Sequence, residues 1–264
     1  MHDLLAALIL GTVQGLTEFL PVSSSGHLVL LQGFFGERWL GDILFDVSVH
    51  LGTTLAVLIF FHKEVYGLIR GIMPGTYQRD QAWIIGCILI TTAVTGAIGV
   101  LFQEHFETMF SMPSLVAAML IVTGVLTFAT DRKKNTGRPY GQIRARDALT
   151  IGLFQAFAII PGISRSGSTI FAGVFSGMER TWAASYSFIA SIPAILGAAA
   201  LEWGSQTGSI EPEHLIGAVT SCIVGLISLK FLVWTLRKHN FFIFSVYCWI
   251  AGTLYLAAHF LGGF

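Results

Sequence analysis

Gln14-Gly-Leu-Thr-Glu18-Phe-Leu-Pro21-Val-Ser23-Ser-Ser-Gly26-His27 places an amide, a carboxylate, three serine hydroxyls and an imidazole between the apolar runs Leu4–Leu10 and Leu28–Leu31. Ionisable groups in such surroundings are costly, so by default they mark a functional site. The same stretch decides the backbone: Pro21 and the Ser-Ser-Ser-Gly run interrupt what would otherwise be one apolar segment from Leu4 to Leu31. The reading is a short helix, a polar break and a second short helix. Irregular backbone survives in a bilayer only when it is buried in protein or lines a wet cavity.

A second segment has this character. Ala148–Ser176 is cut by Pro161-Gly162-Ile-Ser-Arg-Ser-Gly167. Both segments are therefore expected to form re-entrant hairpins or broken helices. Around them lie six apolar runs near the ~20 residues needed to span ~30 Å of hydrocarbon: Ile43–Phe61, Ala82–Phe102, Pro113–Ala129, Trp182–Leu201, Leu215–Leu236 and Phe241–Leu261. The composition agrees, since 54% of the 264 residues are hydrophobic and only 11% are charged, against roughly 25% charged in soluble domains. Mean hydropathy is +0.72. The fold class is an all-α polytopic membrane protein. Zero net charge and the lack of a long acidic or basic tail leave nothing for nucleic acid to bind. Cys87, Cys222 and Cys248 lie scattered in apolar runs and are expected to be small buried hydrophobes. The N-terminus lacks the basic n-region and small-residue cleavage site of a signal peptide, so the spans themselves are expected to direct insertion.

Basic residues in short loops set the orientation. Thr130–Arg146 carries Arg132, Lys133, Lys134, Arg138, Arg144 and Arg146 and is assigned to the cytoplasm. Alternation then puts His62–Gln81, the Glu179-Arg180 turn and Arg237-Lys238 inside. Glu37–Asp42, Gln103–Met112 and Glu202–His214 fall outside, with Arg38 as their one basic residue. Trp39, Trp182, Trp203 and Trp234 sit near span ends and are expected to anchor at the interface. Lys230, near an inner span end, is expected to snorkel.

The two breaks also resemble each other. Gly11-Thr-Val-Gln14 and Gly152-Leu-Phe-Gln155 share GxxQ at an offset of 141, and Ser23-Ser-Ser-Gly26 and Ser164-Arg-Ser-Gly167 share SxSG at the same offset. Each break precedes three spans, the first copy entering from outside and the second from inside. This predicts one membrane domain built as an inverted repeat, 1–130 and 147–264, joined by the basic linker 130–146. Such repeats bring their broken helices together near the midplane, where substrate sites form.

Arg165 is then the one basic residue expected deep in the membrane. A guanidinium there calls for an anion, and its planar fork suits phosphate. Ser164, Ser166, Gly167, Ser168 and Thr169 add donors, and a helix opening at Thr169 would present its positive end. The plainer account, Arg165 as a bare ion-pair partner of Glu18, leaves the many hydroxyls unexplained. Gln14 and Glu18, four apart, share a helix face; a carboxylate and an amide oxygen suit a hard divalent cation, Mg²⁺ or Ca²⁺. Glu18 serves equally as a general base. Ser23, Ser24 and Ser25 bring a hydroxyl nucleophile within reach of Glu18 or His27, and His27 suits proton transfer. Asp46 and His50 share a face of the first full span and border the cavity or bond between helices. Together the groups resemble phosphoryl-transfer machinery.

QGLTEFLPVSSSGH (14–27) and PGISRSGST (161–169), in a membrane protein of this length, resemble the bacterial undecaprenyl-pyrophosphate phosphatases of the bacitracin-resistance type. The resemblance spans essentially the whole chain. It implies hydrolysis of undecaprenyl pyrophosphate to undecaprenyl phosphate, recycling the carrier lipid for peptidoglycan synthesis. It further implies dependence on a divalent cation, and a plasma-membrane enzyme whose active site opens outward. On the matching positions, the catalytic set is Glu18, Ser24, His27 and Arg165. Gln14, Ser23, Ser25, Ser164, Ser166 and Thr169 are expected at the substrate, and Gln14 and Glu18 at the metal. Gln14 is an allowed variant of a glutamate but removes one carboxylate, and His50 stands where relatives carry glutamine. A polyprenyl pyrophosphate and membrane lipids are the expected partners, and a homodimer is left open. The rival expectation is a carrier that moves a polyprenyl phosphate lipid without cleaving it.

Overall fold

The computed structural model describes residues 2–35, 39, 42–134, 137–205, 210–238 and 240–261. Among them the chain is almost entirely helical, with one isolated β-bridge between Arg138 and Met178. Six helices are long and apolar enough to cross a membrane: α3 (Ile43–Phe60), α5 (Arg79–Leu101), α7 (Pro113–Arg132), α10 (Arg180–Ser205), α11 (Pro212–Arg237) and α12 (Phe242–Phe260). They match the six expected runs, with α5, α7, α10 and α11 extended at polar ends. Two short helices, α4 (His62–Arg70) and α6 (Gln103–Phe110), occupy connections that the sequence suggested were loops. Arg38 lies outside the described residues.

Both interrupted segments have the expected helix–break–helix form. α1 (His2–Thr17) and α2 (Ser24–Phe35) flank the first break, and α8 (Ala145–Phe157) and α9 (Arg165–Phe175) flank the second. Each break has a local cause. Pro21 lacks an N–H, and Ser23 adopts φ 68°, left-handed geometry that ends one helix before the next begins. In the second, Gly162 takes φ 93° and packs against α7, where a Cβ would lie 2.2 Å from the Val116 carbonyl. Only glycine fits there. Protein groups satisfy the loosened backbone: Thr123 of α7 donates to Gly162 O (2.9 Å) and accepts from Ser164 N (2.9 Å). A break in apolar surroundings needs such partners.

Helix packing relies on small residues, the usual device where lipid is as apolar as the side chains. α11 presents Gly217, Ser221 and Gly225 at four-residue spacing, with α1 and α3 packed against it. At Gly52 of α3 an added Cβ would meet Ala218 O at 2.2 Å, so the two backbones touch. The partner pattern is paired across the halves. α1 packs on α11 as α8 packs on α5, α3 on α11 as α10 on α5, and α3 meets α10 while α7 meets α12.

The ends of the bundle differ in chemistry. At one end Arg180 is buried, 2% exposed, and its Nη2 donates to the carbonyls of Thr130 (3.0 Å), Asp131 (2.7 Å) and Lys133 (2.6 Å). A cation there satisfies the unpaired carbonyls and negative dipole end of α7. At the same end Arg138 pairs with Asp147 (2.7 Å), Trp83 Nε1 donates to Ile143 O (2.9 Å), and Phe241 N donates to Asp131 Oδ1 (2.9 Å). At the other, Asp42 and His214 join the starts of α3 and α11 at 3.5 Å. Trp234 is 51% exposed, as an anchor requires, but Trp39 and Trp182 are 2% and 3% exposed and are core residues instead. Trp39 packs edge-on to Phe45 and Trp182 on Tyr140, contacts that position along the chain does not reveal. The side chain of Trp203 lies outside the described residues. Lys230 is exposed, and the three cysteines are free and buried.

Replacing Gly52 by alanine drives a methyl group into the α11 backbone. Overpacking of this kind costs about 1–3 kcal/mol. The expected outcome is a lower midpoint of thermal unfolding in detergent micelles, with no such drop for Gly86→Ala, where a Cβ meets open space.

Candidate active site

The two breaks meet. Ser166 Oγ donates across to Leu20 O at 3.3 Å, and a Cβ on Gly167 would lie 3.1 Å from the Pro21 ring. Each tip uses its serines in the same way. Ser23 Oγ accepts from Gly26 N (3.3 Å) and faces Ser25 Oγ (3.4 Å), while Ser164 Oγ accepts from Gly167 N (3.1 Å) and faces Ser166 Oγ (3.1 Å). Both are side-chain oxygens capping the helix that follows. Ser23, Ser164 and Ser166 are buried, and Ser24 and Ser25 half-buried.

At the junction Glu18 is the hub. One carboxylate oxygen, Oε1, pairs with Arg165 Nη2. The other, Oε2, accepts from Ser24 Oγ at 2.6 Å and from Gln14 Nε2 at 3.0 Å, with His50 Nε2 standing 3.8 Å away. Glu18 is 6% exposed. A buried carboxylate needs such compensation. A hydroxyl this close to a carboxylate has the spacing that a nucleophile and its base take in covalent catalysis.

Two polar atoms here lack a hydrogen-bond partner: Arg165 Nη1 and Gln14 Oε1. Buried polar groups of this kind are uncommon, because each costs the desolvation it does not recover. The first is a charged donor, of the kind that suits an anion. The second is an acceptor beside a carboxylate, suited to a cation. Among the described residues no group of three or more His, Cys, Asp or Glu is arranged to hold a metal. Mg²⁺ needs no such cage when substrate phosphates complete its shell, so Glu18 and Gln14 fit the minimal protein contribution.

His27 is placed differently. Its Nδ1 lies 2.8 Å from Ser23 O and its Nε2 2.6 Å from the hydroxyl of Tyr247, on α12, with the rings stacked at 15°. Among the bonds described its imidazole reaches neither Glu18 nor Ser24. Tyr247 was missed from the sequence because it sits 220 residues away in an apolar span, with no local motif. α9 opens at Arg165, capped by Ser164, rather than at Thr169. The Thr169 hydroxyl donates to Arg165 O (2.7 Å) and pairs with Ser187 of α10. His50 is tied to its own helix, Nδ1 2.8 Å from Asp46 O.

Comparison with known proteins gives the family. Residues 7–254 match the family described as bacitracin resistance protein BacA. A protein of Desulfatibacillum aliphaticivorans named undecaprenyl-diphosphatase is 40% identical over 97% of this chain and 99% of its own. Proteins of the same name from Halothermothrix orenii (39% identical, 96% of each chain) and Pelotomaculum thermopropionicum (42%, 93% of each) are similar over nearly the same extent. With both breaks and all six long helices inside or overlapping the matched region, the chain belongs to the bacitracin resistance protein BacA family.

Proposed function

We propose that the chain hydrolyses undecaprenyl pyrophosphate to undecaprenyl phosphate and inorganic phosphate, as its relatives' name describes, and so returns the carrier lipid to cell-wall synthesis. It is a multi-pass membrane enzyme. The observation that carries the mechanism is the Ser24 Oγ–Glu18 Oε2 bond of 2.6 Å, beside an arginine with one nitrogen unpaired.

The pyrophosphate binds at Arg165, whose Nη1 takes a phosphate oxygen. Ser23, Ser25, Ser164 and Ser166 line the tips around it, and Thr169 holds the start of α9 in place. Glu18 accepts the proton of Ser24, and Ser24 Oγ attacks the terminal phosphorus. The bond to the bridging oxygen breaks, and undecaprenyl phosphate departs with the electron pair. Water then attacks the phosphoserine, the P–Oγ bond breaks as Glu18 returns its proton to Ser24 Oγ, and phosphate leaves carrying the protons of the water. His27 handles the proton of the departing phosphate. A divalent cation, Mg²⁺ or Ca²⁺, would be held by Glu18 and Gln14 and would neutralise charge on the phosphate oxygens. The polyprenyl tail lies between helices in lipid.

The architecture is an inverted repeat, about 1–130 and 147–264, whose re-entrant tips meet to form this site. Three observations support that reading: the matching serine bonds of the two tips, the paired helix contacts, and the close approach of Gly11 to α11 and of Gly152 to α5. The bacterial plasma membrane with the Thr130–Arg146 end inward fits the positive-inside rule. It leaves the substrate entering from the outer side.

Purified protein in detergent tests the activity. Phosphate release from a prenyl pyrophosphate is expected, falling about 10²–10⁴-fold in Glu18→Ala, Ser24→Ala and Arg165→Ala. Full turnover in Ser24→Ala would remove the serine from the nucleophile's role and leave water or His27. For the cation, chelation is expected to abolish release, and Gln14→Glu to lower the Mg²⁺ concentration giving half-maximal activity. For sidedness, a cysteine at Gly141 should react with an impermeant thiol reagent only in opened cells, and one at Thr108 in intact cells.

A further inference from the structure

His27 is held at both ring nitrogens, and the two partners differ in kind. Ser23 O is a carbonyl and only accepts, so Nδ1 carries a proton. In the neutral ring Nε2 is therefore the basic nitrogen, and it accepts from the Tyr247 hydroxyl at 2.6 Å. The stacked rings, centroids 5.6 Å apart, fix the imidazole plane as well as its tautomer. The nitrogen able to gain or lose a proton thus faces a phenol on α12, in the opposite half of the chain. Tyr247 is 46% exposed, so packing does not require its hydroxyl.

We propose that Tyr247 is a positioning residue of the hydrolytic site, holding His27 so that Nε2 is its working nitrogen. The proposal rests on His27 handling a proton in the reaction. The second half of the chain then supplies two groups to the first tip: Arg165 on Glu18, and Tyr247 on His27. Removing the hydroxyl leaves Nδ1 bonded to Ser23 O and frees the ring to turn about its remaining bond. Misplacement of a catalytic group by such a turn costs up to about 100-fold in rate.

Tyr247→Phe, His27→Gln and the double variant are compared with wild type in detergent, each checked for an unchanged thermal midpoint. Expected for Tyr247→Phe is a fall in kcat of about 10- to 100-fold with KM little changed. Adding it to His27→Gln should cost nothing further, because it acts through the imidazole. The His27 Nε2 resonance in ¹⁵N-histidine spectra, read without substrate, should shift in Tyr247→Phe. Wild-type kcat and an unmoved Nε2 resonance in Tyr247→Phe, with His27→Gln impaired, would overturn the positioning role while leaving His27 in the mechanism. Wild-type kcat in His27→Gln would overturn both. Additive losses in the double variant would also reject the proposal.

Discussion

A carboxylate and a guanidinium withdrawn from water are each costly alone, and the cost falls only where they meet with further hydrogen bonds around them. Glu18 and Arg165 meet in this way, with Ser24 and Gln14 on the second carboxylate oxygen. The two helix breaks depend on that meeting as much as it depends on them. Without the breaks, neither residue would sit at a helix end facing the other. Without the pair, each tip would leave an unpaired charge in apolar surroundings.

The scaffold serves the tips. Thr123 satisfies the second break, Gly162 lets it lie against α7, and small residues on α11 bring α1 and α3 close enough to carry the first. Arg180 closes the end of α7, which also holds the second break. These contacts fix where the tips lie relative to each other to within hydrogen-bond distances. The proposed reaction, which needs a nucleophile, a base and a hydrogen-bond donor to an anion held together, requires that precision.

Much of this was legible in the chain. Six apolar runs, two interruptions and the repeated GxxQ and SxSG patterns are one-dimensional signals, and hydropathy reads them because lipid penalises polar groups residue by residue. Glu18, Ser24 and Arg165 came from the same logic, being polar where polarity is costly. Tyr247 gave no such signal, since a tyrosine in an apolar span is ordinary. Trp39 and Trp182, assigned to the interface from their place near span ends, pack in the core.

The sequence by itself determined the six spans, the breaks and the candidate reacting groups, because each follows from the local cost of placing a residue in lipid. The tertiary structure alone decided which groups touch: Ser24 rather than Ser23 or Ser25 on Glu18, His27 on Tyr247 rather than on the nucleophile, and Arg180 buried on α7 rather than exposed in a turn. Those choices depend on contacts between residues 6 to 220 apart, set by how helices pack, and nothing in the local composition carries them.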